Sequence, residues 1–273
     1  MWSVGWWIRF CPGVLGCLVL TGCSLMGTDG AAPPPAQPAA GEQSAGAMRP
    51  GAVTIQWLGH AAFVLTSSAG TRILIDPLNE SVGYAVPKLD GVDVVTVGHE
   101  HGDHNNVGMA TGQPLVIRGL ERGDWAKVDR QVKDVRVRGV ATYHDGQEGS
   151  QRGKNTAFLF EVDGLRIAHL SDLGHTLSPE QVQQLSPVDV LMVPVGGFYT
   201  IDAADATKVV EQLGPKVVLP MHYRTARSRS DWPGAGVEPF LEGKTFERRE
   251  ANTLVVDKAT LPAATTVVVL SYE

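Results

Sequence analysis

Two apolar runs, Val94-Val95-Thr96-Val97 and Val190-Leu191-Met192-Val193, constrain the architecture more than any other feature of the chain. A strand with one wet face alternates apolar and polar side chains, because successive residues point to opposite sides of a sheet. These runs do not alternate, so they predict strands covered on both faces. Shorter β-branched stretches between turn residues recur from Val53 onward and add strands, among them Val53–Trp57, Ala62–Thr66, Arg72–Ile75, Val135–Arg138, Val140–Tyr143 and Ala157–Val162. Helices are fewer. Ser178-Pro179 reads as an N-cap with proline at the first helical position, and Asp202 caps a helix with Ala206, Val209, Val210 and Leu213 on one face and Gly214-Pro215 at its end. Strands interspersed with a few helices predict an α/β fold: a two-sheet sandwich flanked by helices.

The three cysteines, Cys11, Cys17 and Cys23, all precede this pattern, so the folded part has neither a disulfide framework nor a thiolate metal site. Residues 1–22 read as a signal peptide whose apolar run, Phe10–Leu20, is too short to span a bilayer. Leu20-Thr21-Gly22-Cys23 resembles a bacterial lipobox, which implies acylation of Cys23 and attachment to the membrane through lipid. Ser24 lacks the aspartate that commonly retains such proteins on the inner membrane, so a periplasm-facing domain on the outer membrane is expected. Residues 23–50 are rich in Pro, Ala and Gly and form a tether, because they carry too little apolar surface to offset their ordering entropy. Residues 51–273 form one domain in this reading, with no internal boundary. The net charge of −6 disfavours nucleic acid as a partner, although a local basic patch can hide within an acidic total.

The chemistry is concentrated in His99-Glu100-His101-Gly102-Asp103-His104, directly after a buried strand and a glycine. Such a segment can aim alternate side chains at one point, whereas a helix would scatter them around its circumference. The comparison with the HExxH helix of zinc proteases fails, because residue 103 is Asp and a β-branched strand precedes the motif. GxSxG, P-loop and GxGxxG units are missing, so serine-hydrolase and nucleotide-binding readings have no motif.

The HxHxDH arrangement followed by His144, Asp172 and His222 resembles the metallo-β-lactamase superfamily. Trp57-Leu58-Gly59-His60-Ala61, Ile75-Asp76-Pro77 and Pro194-Val195-Gly196-Gly197-Phe198-Tyr199 resemble its branch containing ascorbate-6-phosphate lactonase, N-acyl-phosphatidylethanolamine phospholipase D and uncharacterised metal-dependent hydrolases. The resemblance implies a four-layer αββα sandwich. It also implies one metal on His99, His101 and His144, a second on Asp103, His104 and His222, and Asp172 shared between them. Imidazole and carboxylate without thiolate suit Zn²⁺ and admit Mn²⁺ or Fe²⁺. Two such ions, ~3.5–4 Å apart, would make a bridging hydroxide the nucleophile. A hydrolase acting on a small-molecule ester, lactone or phosphodiester follows; the alternative is a non-catalytic metal-binding envelope module.

Other residues carry lesser expectations. Asp76 is expected to orient ligands, His60 to lie in the pocket or serve as a structural histidine, and His175 to act with Asp103 and Asp172 in catalysis as a proton donor or substrate contact. Lys154 and Asn155 read as an exposed hairpin turn, with contact to an anionic substrate as the alternative; Phe198 and Tyr199 read as apolar packing, with a place in the pocket wall as the alternative; and Glu100 reads as pointing away from the metals.

Overall fold

The computed structural model describes residues 49–272, so the signal-like segment, Cys23 and nearly all of the tether lie outside the described residues. Strands β1 (Ala52–Gly59), β2 (Ala62–Thr66), β3 (Arg72–Ile75), β4 (Val94–Val97) and β5 (Leu115–Arg118) come first. A small hairpin, β6 (Leu120–Glu121) and β7 (Asp124–Trp125), leads to β8 (Asp129–Val132), β9 (Val135–Tyr143), β10 (Lys154–Val162) and β11 (Leu165–His169). Then α1 (Pro179–Leu185), β12 (Val190–Pro194), α2 (Ala203–Leu213), β13 (Val217–Met221) and the single turn α3 (Glu238–Leu241) precede β14 (Phe246–Arg248), β15 (Thr253–Asp257) and β16 (Thr266–Val269).

These strands form a six-stranded sheet, β15-β1-β2-β3-β4-β5, and an eight-stranded sheet, β14-β16-β13-β12-β11-β10-β9-β8. Each is mixed: β3, β4 and β5 run parallel, as do β11, β12, β13 and β16, while the remaining neighbours include antiparallel hairpins such as β9–β10. Ile55, Phe63, Ile73 and Val94 of the first sheet share one core with Val137, Phe158, Phe160 and Leu191 of the second. On the other side of the first sheet, Val64, Leu74, Val95 and Val97 pack beneath Leu78, Val82, Tyr84 and Met109. The non-alternating run in β4 therefore has cover on both faces, as expected. At ~1.5–3 kcal/mol per fully buried large apolar side chain, this burial dominates the stabilisation.

The α/β sandwich is present, with an asymmetry in its outer layers. The helices α1 and α2 lie on β9 and β12 of the second sheet. The first sheet is covered by coil with two 3₁₀ turns, Glu80–Val82 and Val107–Met109. Ser178 and Gln181 form a full capping box at α1, and Asp202 accepts the N–H groups of Ala204 and Asp205 at α2, matching the punctuation in the sequence.

Two local readings are corrected. Val135–Arg138 and Val140–Tyr143 are one strand, β9, and Gly139 does not interrupt it; a Cβ there would lie 3.1 Å from Thr156 and Val128, so the glycine marks close packing within the sheet. Lys154 and Asn155 begin β10 and form no exposed turn; Asn155 is wholly buried.

Candidate metal centre

The candidate ligands leave the ends of strands from both sheets and meet over one edge of the sandwich. Asp76 follows β3, His99–His104 follow β4, His144 follows β9, and Asp172 and His222 follow β11 and β13. His60 comes from the turn between β1 and β2. His60, Asp76, Ser171 and His222 have positive φ, between 44° and 52°. Non-glycine residues in this left-handed region cost about 1–3 kcal/mol each and persist where surrounding contacts over-determine them. Here the contacts are visible: Trp57 Nε1 donates to the His60 carbonyl (3.0 Å), and the His222 N–H donates to the same oxygen (3.1 Å).

The candidate donor atoms gather in three overlapping groups: His99, His101, His144 and Asp172 on one side, His60, Asp103, His104 and His222 on the other, and Asp76 with His99 and His104 beneath them. Asp172 lies between the first two. Its Oδ2 is 3.2 Å from His144 Nε2 and 3.5 Å from His99 Nε2; its Oδ1 is 3.1 Å from His104 Nε2 and 3.3 Å from His222 Nε2. Asp103 Oδ2 is 3.2 Å from His60 Nε2 and 3.8 Å from His104 Nε2. Asp172 Oδ1, His99 Nε2 and His104 Nε2 are buried without a hydrogen-bond partner. Buried imidazole nitrogens and carboxylate oxygens converging on one point leave polar atoms incompletely compensated for their desolvation, and a cation among them supplies the compensation. The residues therefore fit a metal centre.

The electrostatics agree with this. Burial alone would raise the Asp172 carboxyl, but the imidazoles of His104, His222 and His99 hold it well below the usual carboxylate range. Burial opposes protonation of His104, yet the Asp172 and Asp76 carboxylates raise it well above an ordinary imidazole. Burial and the neighbouring His222 lower His60 to about 3, so it is a neutral ring at physiological pH.

Asp76 organises the floor. Fully buried, it accepts the Gly98 N–H (2.8 Å) and the Ser171 hydroxyl, and its Oδ2 is 3.2 Å from His104 Nδ1. Asp76 holds the proton on Nδ1, so that when a cation displaces the proton on Nε2 the lone pair of that atom faces Asp172, the tautomer a metal requires. His60 is buried beside the centre, 4.0 Å ring to ring from His222, and does not line the cavity over it.

His175 is a correction. Its Nε2 accepts the Tyr143 N–H (3.0 Å) and its Nδ1 donates to the Thr176 carbonyl (2.7 Å), so main-chain groups occupy both nitrogens and neither can carry a proton to substrate. Phe198 and Tyr199 are 63 % and 37 % exposed and not packed inside; for Tyr199 the pocket-wall alternative holds, since it lines the cavity over the ligands with Trp232. Glu100 points away and forks with Arg118.

Several contributors escaped the sequence reading. Asn155 donates to Thr142 Oγ1 and the Leu170 carbonyl and accepts the Asp172 N–H (3.1 Å), which fixes the Asp172 main chain. His169 bridges the Ala61 carbonyl and the Ser171 N–H. An amide and an imidazole in otherwise apolar strands were the available signal. Gly174 has its own reason: a Cβ there would lie 2.2 Å from the His144–Asp145 backbone.

A β-lactamase superfamily domain model matches residues 54–222. A UPF0173 metal-dependent hydrolase of Pyrococcus abyssi is 31% identical over 228 residues, covering 76% of this chain and 94% of its own length. A UPF0173 protein of Pyrococcus furiosus is 33% identical over 219 residues, covering 74% of this chain and 95% of its own. Among solved structures, a Thermotoga maritima protein proposed to be a Zn-dependent hydrolase of the metallo-β-lactamase superfamily is 35% identical with a TM-score of 0.63, over 80% of this chain and 98% of that one. The strand-end clustering of histidines and aspartates thus has the context its residues suggested, and the chain belongs to the metallo-β-lactamase superfamily, among its UPF0173 metal-dependent hydrolases.

Proposed function

We propose that this hydrolase is dinuclear and acts on a small-molecule ester, lactone or phosphodiester. The carrying observation is the division of the Asp172 carboxylate, one oxygen toward His99 and His144 and the other toward His104 and His222. His99, His101 and His144 would hold one ion, and Asp103, His104 and His222 the other. A nitrogen and oxygen donor set without thiolate favours Zn²⁺ and admits Mn²⁺ or Fe²⁺. When bound, the ions supply an activated water and stabilise charge on the attacked oxygen. The chain supplies the rest. Asp76 sets the His104 tautomer, His60 bonds Asp103 through its neutral ring, and Asn155 fixes the Asp172 main chain. Tyr199 and Trp232 wall a cavity of about 350 Å³ that opens on Asp103, His144, Asp172 and His222.

The similarity to the lactonase-containing branch, read from the motifs around His60, Asp76 and Gly196, favours a lactone or phosphate-bearing substrate within that range. We also propose that acylated Cys23 anchors the domain to the bacterial envelope, most simply on the outer membrane; label from a fatty-acid probe should vanish in Cys23→Ser. Function is tested with zinc-reconstituted full-length protein against esters, lactones, phosphodiesters and β-lactams. Metal-dependent turnover lost in His101→Ala supports the reading. Silence across the panel, with tight binding to an envelope protein, would instead identify a non-catalytic module.

A further inference from the structure

Two cations beside the metal centre have no counter-ion. Arg152 lines the cavity over Asp172 and also a cleft of about 580 Å³ that starts at His99 and His101 and runs past Arg122. Two other cations of this cleft are neutralised: Arg118 forks on Glu100 (2.9 and 2.7 Å), and Lys154 bonds Asp124 (2.8 Å). Among the described residues, the guanidinium groups of Arg122 and Arg152 have no hydrogen bond or ion pair; Arg152 stands 5.9 Å from the centre of the Tyr199 ring. Glu121, exposed, is the remaining carboxylate of the cleft. In a chain of net charge −6 these cations do not reflect a general excess of positive charge.

The backbone that carries Arg152 is built into the site. Asp145 directly follows the candidate ligand His144 and is buried. Its carboxylate accepts four main-chain N–H groups of the next loop, those of Gln147 (2.8 Å), Gly149 (3.0 Å), Gln151 (3.0 Å) and Arg152 itself (2.7 Å). The His144 N–H closes the loop on the Gly153 carbonyl (3.0 Å). The segment is thus folded back onto the strand end that presents His144, so when a ligand engages Arg152 the main chain is already ordered and only the side chain remains to be fixed. A guanidinium is permanently charged, and its planar fork of donors matches a carboxylate or phosphate.

We infer that the substrate carries an oxyanion, a phosphate or carboxylate, which Arg152 holds beside the reacting bond, with Arg122 as a second contact along the cleft. This deepens the hydrolase reading above and rests on it for the position of the reacting bond. Asp145 is then a positioning residue that acts through the Arg152 main chain.

Two measurements test this separately from the hydrolase reading. Calorimetric titration of the full-length chain as purified with inorganic tripolyphosphate, at low ionic strength, should show binding that Arg152→Ala weakens about tenfold or more, the loss expected for a charge-assisted hydrogen bond, and Arg122→Ala weakens less. Parallel titration with succinate distinguishes a preference for phosphate from one for carboxylate. No binding of either anion to the wild type, or equal binding by wild type and Arg152→Ala, overturns the proposal. In the second measurement, kcat/KM is compared for p-nitrophenyl acetate and the p-nitrophenyl monoester of succinate. Arg152→Ala should lower the ratio of anionic to neutral turnover about tenfold; an unchanged ratio also overturns it. If neither ester is turned over, the hydrolase reading fails for esters and the titration still decides the anion site.

Discussion

Replacing Asp76 by asparagine isolates the role of a carboxylate that reaches the metals only through its neighbours. Asp76 Oδ1 accepts the Gly98 N–H at 2.8 Å, and Oδ2 serves both the Ser171 hydroxyl and His104 Nδ1, the latter at 3.2 Å. Asparagine has nearly the same shape but only one acceptor atom. If its oxygen stays on Gly98, its NH₂ faces His104 Nδ1 and favours the tautomer with the proton on Nε2, which blocks that atom as a ligand. If the amide flips, the NH₂ opposes the Gly98 N–H. Loss of such an outer hydrogen-bond partner typically costs 10–100-fold in metal affinity, ~1.4–2.8 kcal/mol. The metal-free fold should lose about 3 kcal/mol as well, since a buried ion pair loses one charge. The assay is competition for zinc against a chromophoric chelator, with urea unfolding in parallel. The His104 site should weaken by at least tenfold and the His99 site by less. Zinc affinities within twofold of wild type at both sites would refute the reasoning, because they would show that Asp76 does not set the His104 tautomer.

Gly174→Ala forces a Cβ against the backbone of His144 and Asp145; it should destabilise the fold by about 1–3 kcal/mol and weaken the first metal site, measured by thermal unfolding and zinc titration. Zinc binding in weak buffer near neutral pH should release protons, because the carboxylates around His104 keep it protonated until a cation replaces that charge; calorimetry in buffers of different ionisation enthalpy checks this, and zero release contradicts it. Burial pushes the Asp145 carboxyl up, but its four N–H donors more than offset this and leave it below the ordinary range. A carboxyl whose pKa is depressed on folding stabilises above its unfolded pKa of about 3.9, and that contribution is lost as pH falls through the folded value. Wild-type stability should therefore fall more steeply below about pH 4 than that of Asp145→Asn, read from urea midpoints.

The sequence made the sandwich legible through β4 and β12, because strands covered on both faces must read as unbroken apolar runs. It also marked α1 and α2, whose caps are local chemistry between residues a few positions apart. The small hairpin β6–β7 and the edge strands β8 and β14 were missed because solvent-facing strands carry polar side chains, as in Asp129–Val132, and periodicity has nothing to detect. At the centre, HxHxDH stood out as a dense cluster behind a buried strand, and the later His144, Asp172 and His222 could be read through the resemblance to the metallo-β-lactamase superfamily, at positions where predicted strands end. The supporting groups could not: Asn155, His169 and Ser171 are single polar residues whose partners lie 15, 108 and 95 positions away. His175 was misread because its distance in sequence from Asp172 says nothing about which main-chain groups claim its ring.

The shared use of Asp172 is the claim on which the rest depends, and metal stoichiometry tests it most directly. Full-length protein reconstituted with zinc and passed through a desalting column should carry close to two equivalents per chain by elemental analysis. Asp103→Ala should retain close to one, and Asp172→Ala should lose both. A wild type that holds no metal after reconstitution, or an Asp172→Ala variant that still holds two equivalents, would contradict a centre built around that carboxylate.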